Sequence, residues 1–167
     1  MSGIRRLLVV VDMQRDFVDG ALGSEAARKI VPAVQALVAE ADEVVYTQDT
    51  HEENYLDTHE GKFLPVPHCI RGTEGHEILP EVFPAGARVF EKSTFGSASL
   101  AGYALWYDEI TLCGVCTDIC VVSNALLIRA FAPEACVRVA ASACAGTSPE
   151  AHQAALLTMK SCQIEII

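Results

Sequence analysis

The sequence lacks the apolar run of about eighteen or more residues that a membrane-spanning helix needs. The apolar stretch nearest its start, Leu7 to Val11, is only five residues long and stops at Asp12. That is also too short for a signal-peptide core, so a cytoplasmic protein is expected. Positive charge is scarce: 12 Lys and Arg stand against 22 Asp and Glu, a formal net charge of −10. Nucleic acid and anionic membrane both reward basic patches, so neither is expected as a partner. Internal repeats, linkers and low-complexity tracts are missing as well, which leaves residues 1–167 as a single domain. The seven cysteines are an odd number, which suits thiols kept reduced better than a disulfide framework.

Half of the chain is apolar (51%) and only 20% is charged, the balance of a compact protein with a substantial core. So much apolar surface also suits a homo-oligomer. Strand-like runs recur at residues 7–11, 43–47, 88–91, 109–113, 136–140 and 163–167. Between them lie helical patterns at 31–41, 97–106, 117–131 and 149–161, with Pro32 placed in a first turn and Ser148 as an N-cap. Such alternation predicts an α/β fold: a three-layer open sheet of about six mainly parallel strands with helices on both faces. The stretch 48–84 reads as a long irregular loop rich in Asp, His, Glu, Gly and Pro, a length usually reserved for function.

Ligands of open α/β sheets bind at the carboxyl ends of the strands. Asp12, Lys92 and Cys120 fall at three such ends, one carboxylate, one ammonium and one thiol. Together they make a general acid/base, an electrostatic partner and a nucleophile. Thr117 reads as the N-cap of the helix carrying Cys120, a position that pushes a thiol toward thiolate. The plainer alternatives are a buried filler at Cys120 and strand-capping roles for Asp12 and Lys92. Asp49-x-His51 with the later His68 offers a carboxylate and two imidazoles to a divalent ion. Cys113-x-x-Cys116 has no fourth ligand nearby, which counts against structural zinc, and Cys69, Cys136, Cys144 and Cys162 read as buried fillers. His59, His76 and His152 are left with surface or structural roles.

Val10-Val11-Asp12-Met13-Gln14-Arg15-Asp16-Phe17, Asp49-Thr50-His51, Pro67-His68-Cys69, Lys92 and Gly114-Val115-Cys116-Thr117-Asp118-Ile119-Cys120-Val121 resemble, in order, the nicotinamidase/isochorismatase superfamily of cysteine hydrolases. The resemblance implies a nucleophile at Cys120, an acid/base at Asp12 and a cation at Lys92. It implies an oxyanion hole from the N–H groups of Cys116 and Cys120, set by a cis peptide between Val115 and Cys116. It further implies a metal, zinc first and manganese or iron otherwise, on Asp49, His51 and His68, with Glu60 as a further oxygen. Phe17, Leu64 and Phe95 become the candidate substrate contacts. Many nicotinamidases carry an aromatic shortly before the last metal His; here the stretch is Phe63-Leu64-Pro65-Val66-Pro67, so Leu64 or Phe63 must serve opposite Phe17 and the ring clamp is weaker. The implied substrate is a small amide, nicotinamide above others. A metal-independent isochorismatase-type or carbamoyl-amide hydrolase is the competing reading, and a non-catalytic binding or thiol redox protein is another.

Overall fold

A computed structural model describes residues 3–167. Six strands form one sheet: β1 (Arg6–Val11), β2 (Val44–Asp49), β3 (Arg88–Lys92), β4 (Glu109–Val115), β5 (Cys136–Ala145) and β6 (Glu165–Ile166). Their order is β3-β2-β1-β4-β5-β6 and every strand pairing is parallel. The chain leaves β1 toward one edge to build β2 and β3, then returns to build β4 to β6 on the other side. The order therefore reverses at β1, and the crevice opens between the carboxyl ends of β1 and β4. Asp12 and Cys120 follow those two ends.

The helices are α1 (Arg15–Val18), α2 (Glu25–Glu40), α3 (His59–Phe63), α4 (Ala98–Ala104), α5 (Val122–Phe131) and α6 (Pro149–Ser161). β1 is nearly continuous apolar sequence because helices cover both its faces, and Val9, Val10 and Val11 are fully buried. Gly114 is needed at its place in β4: its φ is +115°, and a Cβ there would lie 2.2 Å from the carbonyl oxygen of Val11. The central strands can therefore approach closely where the crevice opens. Ser148 caps α6 as expected, accepting from the Ala151 N–H.

Several boundaries differ from the sequence expectations. α2 begins at Glu25, not near residue 31, because Ser24 caps it by accepting from the Ala27 N–H. Pro32 consequently lies inside the helix. β5 extends to Ala145, and β6 shrinks to Glu165–Ile166. The stretch 48–84 is ordered: it holds α3 and short 3-10 turns at Tyr55–Asp57, Glu74–His76 and Pro80–Val82. Thr117 is not an N-cap. The segment Thr117–Val121 is a π-helical turn, and the Thr117 hydroxyl pairs with Nδ1 of His152 at 2.8 Å. His152 thereby takes a structural role. Cys69 and Cys144 are buried as expected, but Cys162 is exposed and Cys136 only half-buried. No helix among the described residues is long and apolar enough to cross a membrane.

Candidate active site

Asp12 comes straight off the buried strand β1, in the left-handed region at φ +48°, and is fully buried. The turn aims its carboxylate across the strand ends. Oδ1 accepts from the Thr47 hydroxyl at 2.6 Å, and the Asp12 N–H donates to the same hydroxyl oxygen at 3.1 Å. Lys92, the last residue of β3, brings Nζ to 2.7 Å from Asp12 Oδ2. That contact is a close, fully buried ion pair. Nζ also stands 3.5 Å from Cys120 Sγ and 3.5 Å from Asp49 Oδ1.

The electrostatics follow from burial. Burial raises the Asp12 carboxyl, and Lys92 only partly offsets it. Burial, together with the neighbouring Asp12 charge, also pushes the Cys120 thiol well above its ordinary range despite Lys92. Burial thus opposes the pull toward thiolate expected from the thiol's place in the helix, and it outweighs what the ammonium supplies. For Lys92 burial acts downward, but the charges of Asp12 and Asp49 prevail and keep it ammonium.

A second cluster adjoins the first. Asp49 ends β2, His51 follows it, Glu60 lies in the first turn of α3, and His68 arrives from the loop beyond. Ligand atoms of all four lie within 4.8 Å of one another. Nε2 of His51 is 2.9 Å from Asp49 Oδ2, and Nε2 of His68 is 3.5 Å from it. Glu60 Oε1 stands 3.7 Å from both imidazole nitrogens. Ligands about 2.1 Å from a tetrahedral ion stand about 3.4 Å apart, so this spacing fits one divalent ion. Nδ1 of His68 must donate to the Val66 carbonyl at 2.8 Å, which leaves its Nε2 lone pair facing the cluster. Burial acts upward on Asp49, but the His51 hydrogen bond and the Lys92 charge help to hold it far below the usual carboxylate range, whereas burial and Asp49 push Glu60 up.

Other residues of this centre went unnoticed in the sequence. Gln14 is fully buried and grips the backbone of Asp49 from both sides: Nε2 donates to its carbonyl and Oε1 accepts from its N–H, each at 2.8 Å. Asp16 accepts from the N–H of Cys69 at 2.8 Å, which anchors the loop just after His68. Tyr55, also buried, packs its ring 4.8 Å from His51 and 5.0 Å from His68 and donates to the Leu64 carbonyl. Gln14 and Asp16 could have been suspected from their place in the first motif. Tyr55 carries no such signal.

The peptide between Val115 and Cys116 is cis. One cavity of about 1550 Å³ is lined by Lys92, Cys120, Val115, Cys116, Phe17, Leu64, Phe95 and all four residues of the second cluster. Asp12 stands behind it, reaching the cavity through Lys92 and Cys120. Phe17 packs 5.4 Å from His68, ring centre to ring centre. Phe63 and Leu64 both line the cavity, Phe63 at its rim with 80% exposure.

Residues 6–167 match the family model described as the isochorismatase domain. The nicotinamidase of Schizosaccharomyces pombe is 26% identical over 206 aligned positions, covering 96% of this chain and 91% of that protein. A Pyrococcus horikoshii pyrazinamidase solved in complex with zinc is 30% identical, with a TM-score of 0.84 and 98% of each chain covered. A Bacillus subtilis nicotinamidase/pyrazinamidase is 29% identical, with a TM-score of 0.80 and coverage of 98% and 99%.

Proposed function

The chain belongs to the isochorismatase family, and from that premise we propose that it is a cysteine amidohydrolase whose substrate is nicotinamide, released as nicotinic acid and ammonia. The observation that carries this reading is the convergence of three buried groups: the Asp12 carboxylate lies 2.7 Å from the Lys92 ammonium, which itself stands 3.5 Å from the Cys120 thiol. Residues 1–167 act as one hydrolase domain.

Asp12 Oδ2 accepts the proton of Cys120, and Sγ attacks the amide carbonyl carbon. The N–H groups of Cys116 and Cys120 stabilise the oxyanion. As the C–N bond breaks, the proton on Asp12 passes to the departing nitrogen and ammonia leaves. A water then loses a proton to Asp12 while its oxygen attacks the thioester, and that proton returns to Sγ as the acid departs. Asp12 must change protonation twice, which suits a carboxyl raised by burial yet restrained by Lys92. A separated thiolate would otherwise be costly in so dry a place, and Lys92 Nζ at 3.5 Å compensates its charge.

Asp49, His51, Glu60 and His68 fit a divalent ion, zinc in this reading, which when bound supplies a positive charge to receive a ring nitrogen. Phe17 lines the same cavity, beside His68. The four-residue cluster argues against the metal-independent branch, and the completeness of Asp12, Lys92 and Cys120 argues against a mere binding protein. Leu64 and a largely exposed Phe63 stand where a closed aromatic clamp would hold the ring. Loose ring binding and tolerance of related amides follow. The test is ammonia release from nicotinamide, pyrazinamide and benzamide by the wild type and Cys120→Ala. Nicotinamide should be preferred to benzamide, which has no ring nitrogen, and Cys120→Ala should be inactive. Equal rates on both amides would remove the ring-nitrogen argument, and an active Cys120→Ala would remove the mechanism.

A further inference from the structure

Asn124 is a fully buried polar side chain in the first turn of α5, and the chemistry just derived makes no use of it. Its hydrogen-bonding partners belong to two segments that line the site, at Cys120 and Phe95, and to Ser97 just beyond. Nδ2 donates to the carbonyl of Cys120 at 2.8 Å and to the carbonyl of Phe95 at 3.2 Å. Oδ1 accepts from the N–H of Ser97 at 2.9 Å. Three backbone groups from two separate segments thus meet on one amide. The π-helical turn at Thr117–Val121 interrupts the regular α-helical bonding around Cys120, and the Asn124 side chain supplies a donor to the Cys120 carbonyl. The other segment leaves β3 at Lys92 and runs through Ser93, Thr94 and Phe95, all lining the cavity, to Ser97, whose hydroxyl caps α4. At Gly96 this segment lies close to Leu127 and Ser123 of α5.

We propose that Asn124 is a positioning residue that ties the Phe95 wall to the nucleophile turn and thereby sets how tightly the substrate ring is held. The proposal rests on Cys120 being the nucleophile. Phe95 is itself 47% exposed, so side-chain packing alone does not hold it. Its backbone is held through Asn124, and the wall moves if that amide is lost. Asn124 touches neither substrate nor Sγ, so its loss acts on KM more than on kcat.

Two substitutions separate the two connections. Asn124→Leu keeps the approximate shape and loses every bond. Asn124→Thr keeps a hydroxyl able to donate four residues back to the Cys120 carbonyl but unable to serve the Phe95–Ser97 segment. For the amide turned over fastest, Asn124→Thr should raise KM roughly two- to twelvefold, the worth of one aromatic contact, with little change in kcat. The rate at which iodoacetamide alkylates Cys120 should stay at the wild-type value. In a Phe95→Ala background the same substitution should leave KM unmoved. Wild-type KM in Asn124→Thr, or an undiminished penalty in the Phe95→Ala background, would overturn the proposal. So would failure of Asn124→Thr to fold, because the side chain would then support the fold and not the wall. An active Cys120→Ala would instead overturn the nucleophile assignment on which the proposal stands.

Discussion

Replacing Lys92 with Met is the most searching perturbation of the site, because it removes a charge while nearly preserving the volume of the side chain. At an effective dielectric of 20, an ion pair at 2.7 Å is worth about 6 kcal/mol of gross attraction, and one at 3.5 Å about 5 kcal/mol. Desolvation of the ammonium cancels much of both. Breaking a buried pair by removing one partner costs about 3–5 kcal/mol in practice. Domains of this kind hold about 5–15 kcal/mol in total, so the variant should fold with a clearly lower denaturant midpoint. The penalty should depend on pH in a definite direction. Asp12 is already raised by burial, and without Lys92 it rises further. A carboxyl whose folded pKa lies above its unfolded value binds more protons in the folded state, so stability falls as pH climbs through that interval. Urea unfolding of wild type and Lys92→Met at pH 5 and pH 8 should therefore show the larger difference at pH 8. Turnover should be lost at both, because without the ammonium nothing compensates the charge of the Cys120 thiolate. Equal stability losses at the two pH values, with wild-type turnover, would refute the coupling between Lys92 and Asp12.

His51→Ala should abolish stoichiometric binding of one zinc or manganese ion per chain, read by elemental analysis after dialysis, while leaving the unfolding curve of the metal-free protein within about 1–2 kcal/mol of wild type. Wild-type protein that holds no ion even after such loading would return the reading to the metal-independent relatives. Far from the site, hydrogen bonds from Tyr103 and then Tyr107 hold Glu43 below its ordinary value near 4.5. A carboxyl with a depressed folded pKa contributes stability above its unfolded value and loses it as pH falls through the folded one. Wild type should thus lose more stability than Glu43→Gln as pH drops below about 4.5, and parallel curves for the two proteins would show that the tyrosines do not act this way.

Local chemistry was readable from residues alone. The apolar run Leu7–Val11, the turn at Gly114 and the cap at Ser148 declare their elements because periodicity, backbone freedom and capping are properties of a few adjacent residues. The same local signals placed Asp12, Lys92 and Cys120 at strand ends. Resemblance added Glu60 beside Asp49, His51 and His68, a grouping that no spacing rule would assemble. Tertiary structure decided the rest. The reversal of strand order at β1, which makes those strand ends face one crevice, depends on which strands pair across the whole chain. The start of α2 at Ser24, which leaves Pro32 inside the helix, reflects packing that outweighs a local breaker. The N–H groups of the turn at Cys120 are visible in sequence, whereas burial beside Asp12, which pushes the thiol up, is not. Gln14, Tyr55 and Asn124 stayed hidden for a related reason. Each is polar or aromatic in an unremarkable place, and its role exists only through backbone groups brought to it from distant segments, since a buried polar group must find its partners wherever the fold delivers them.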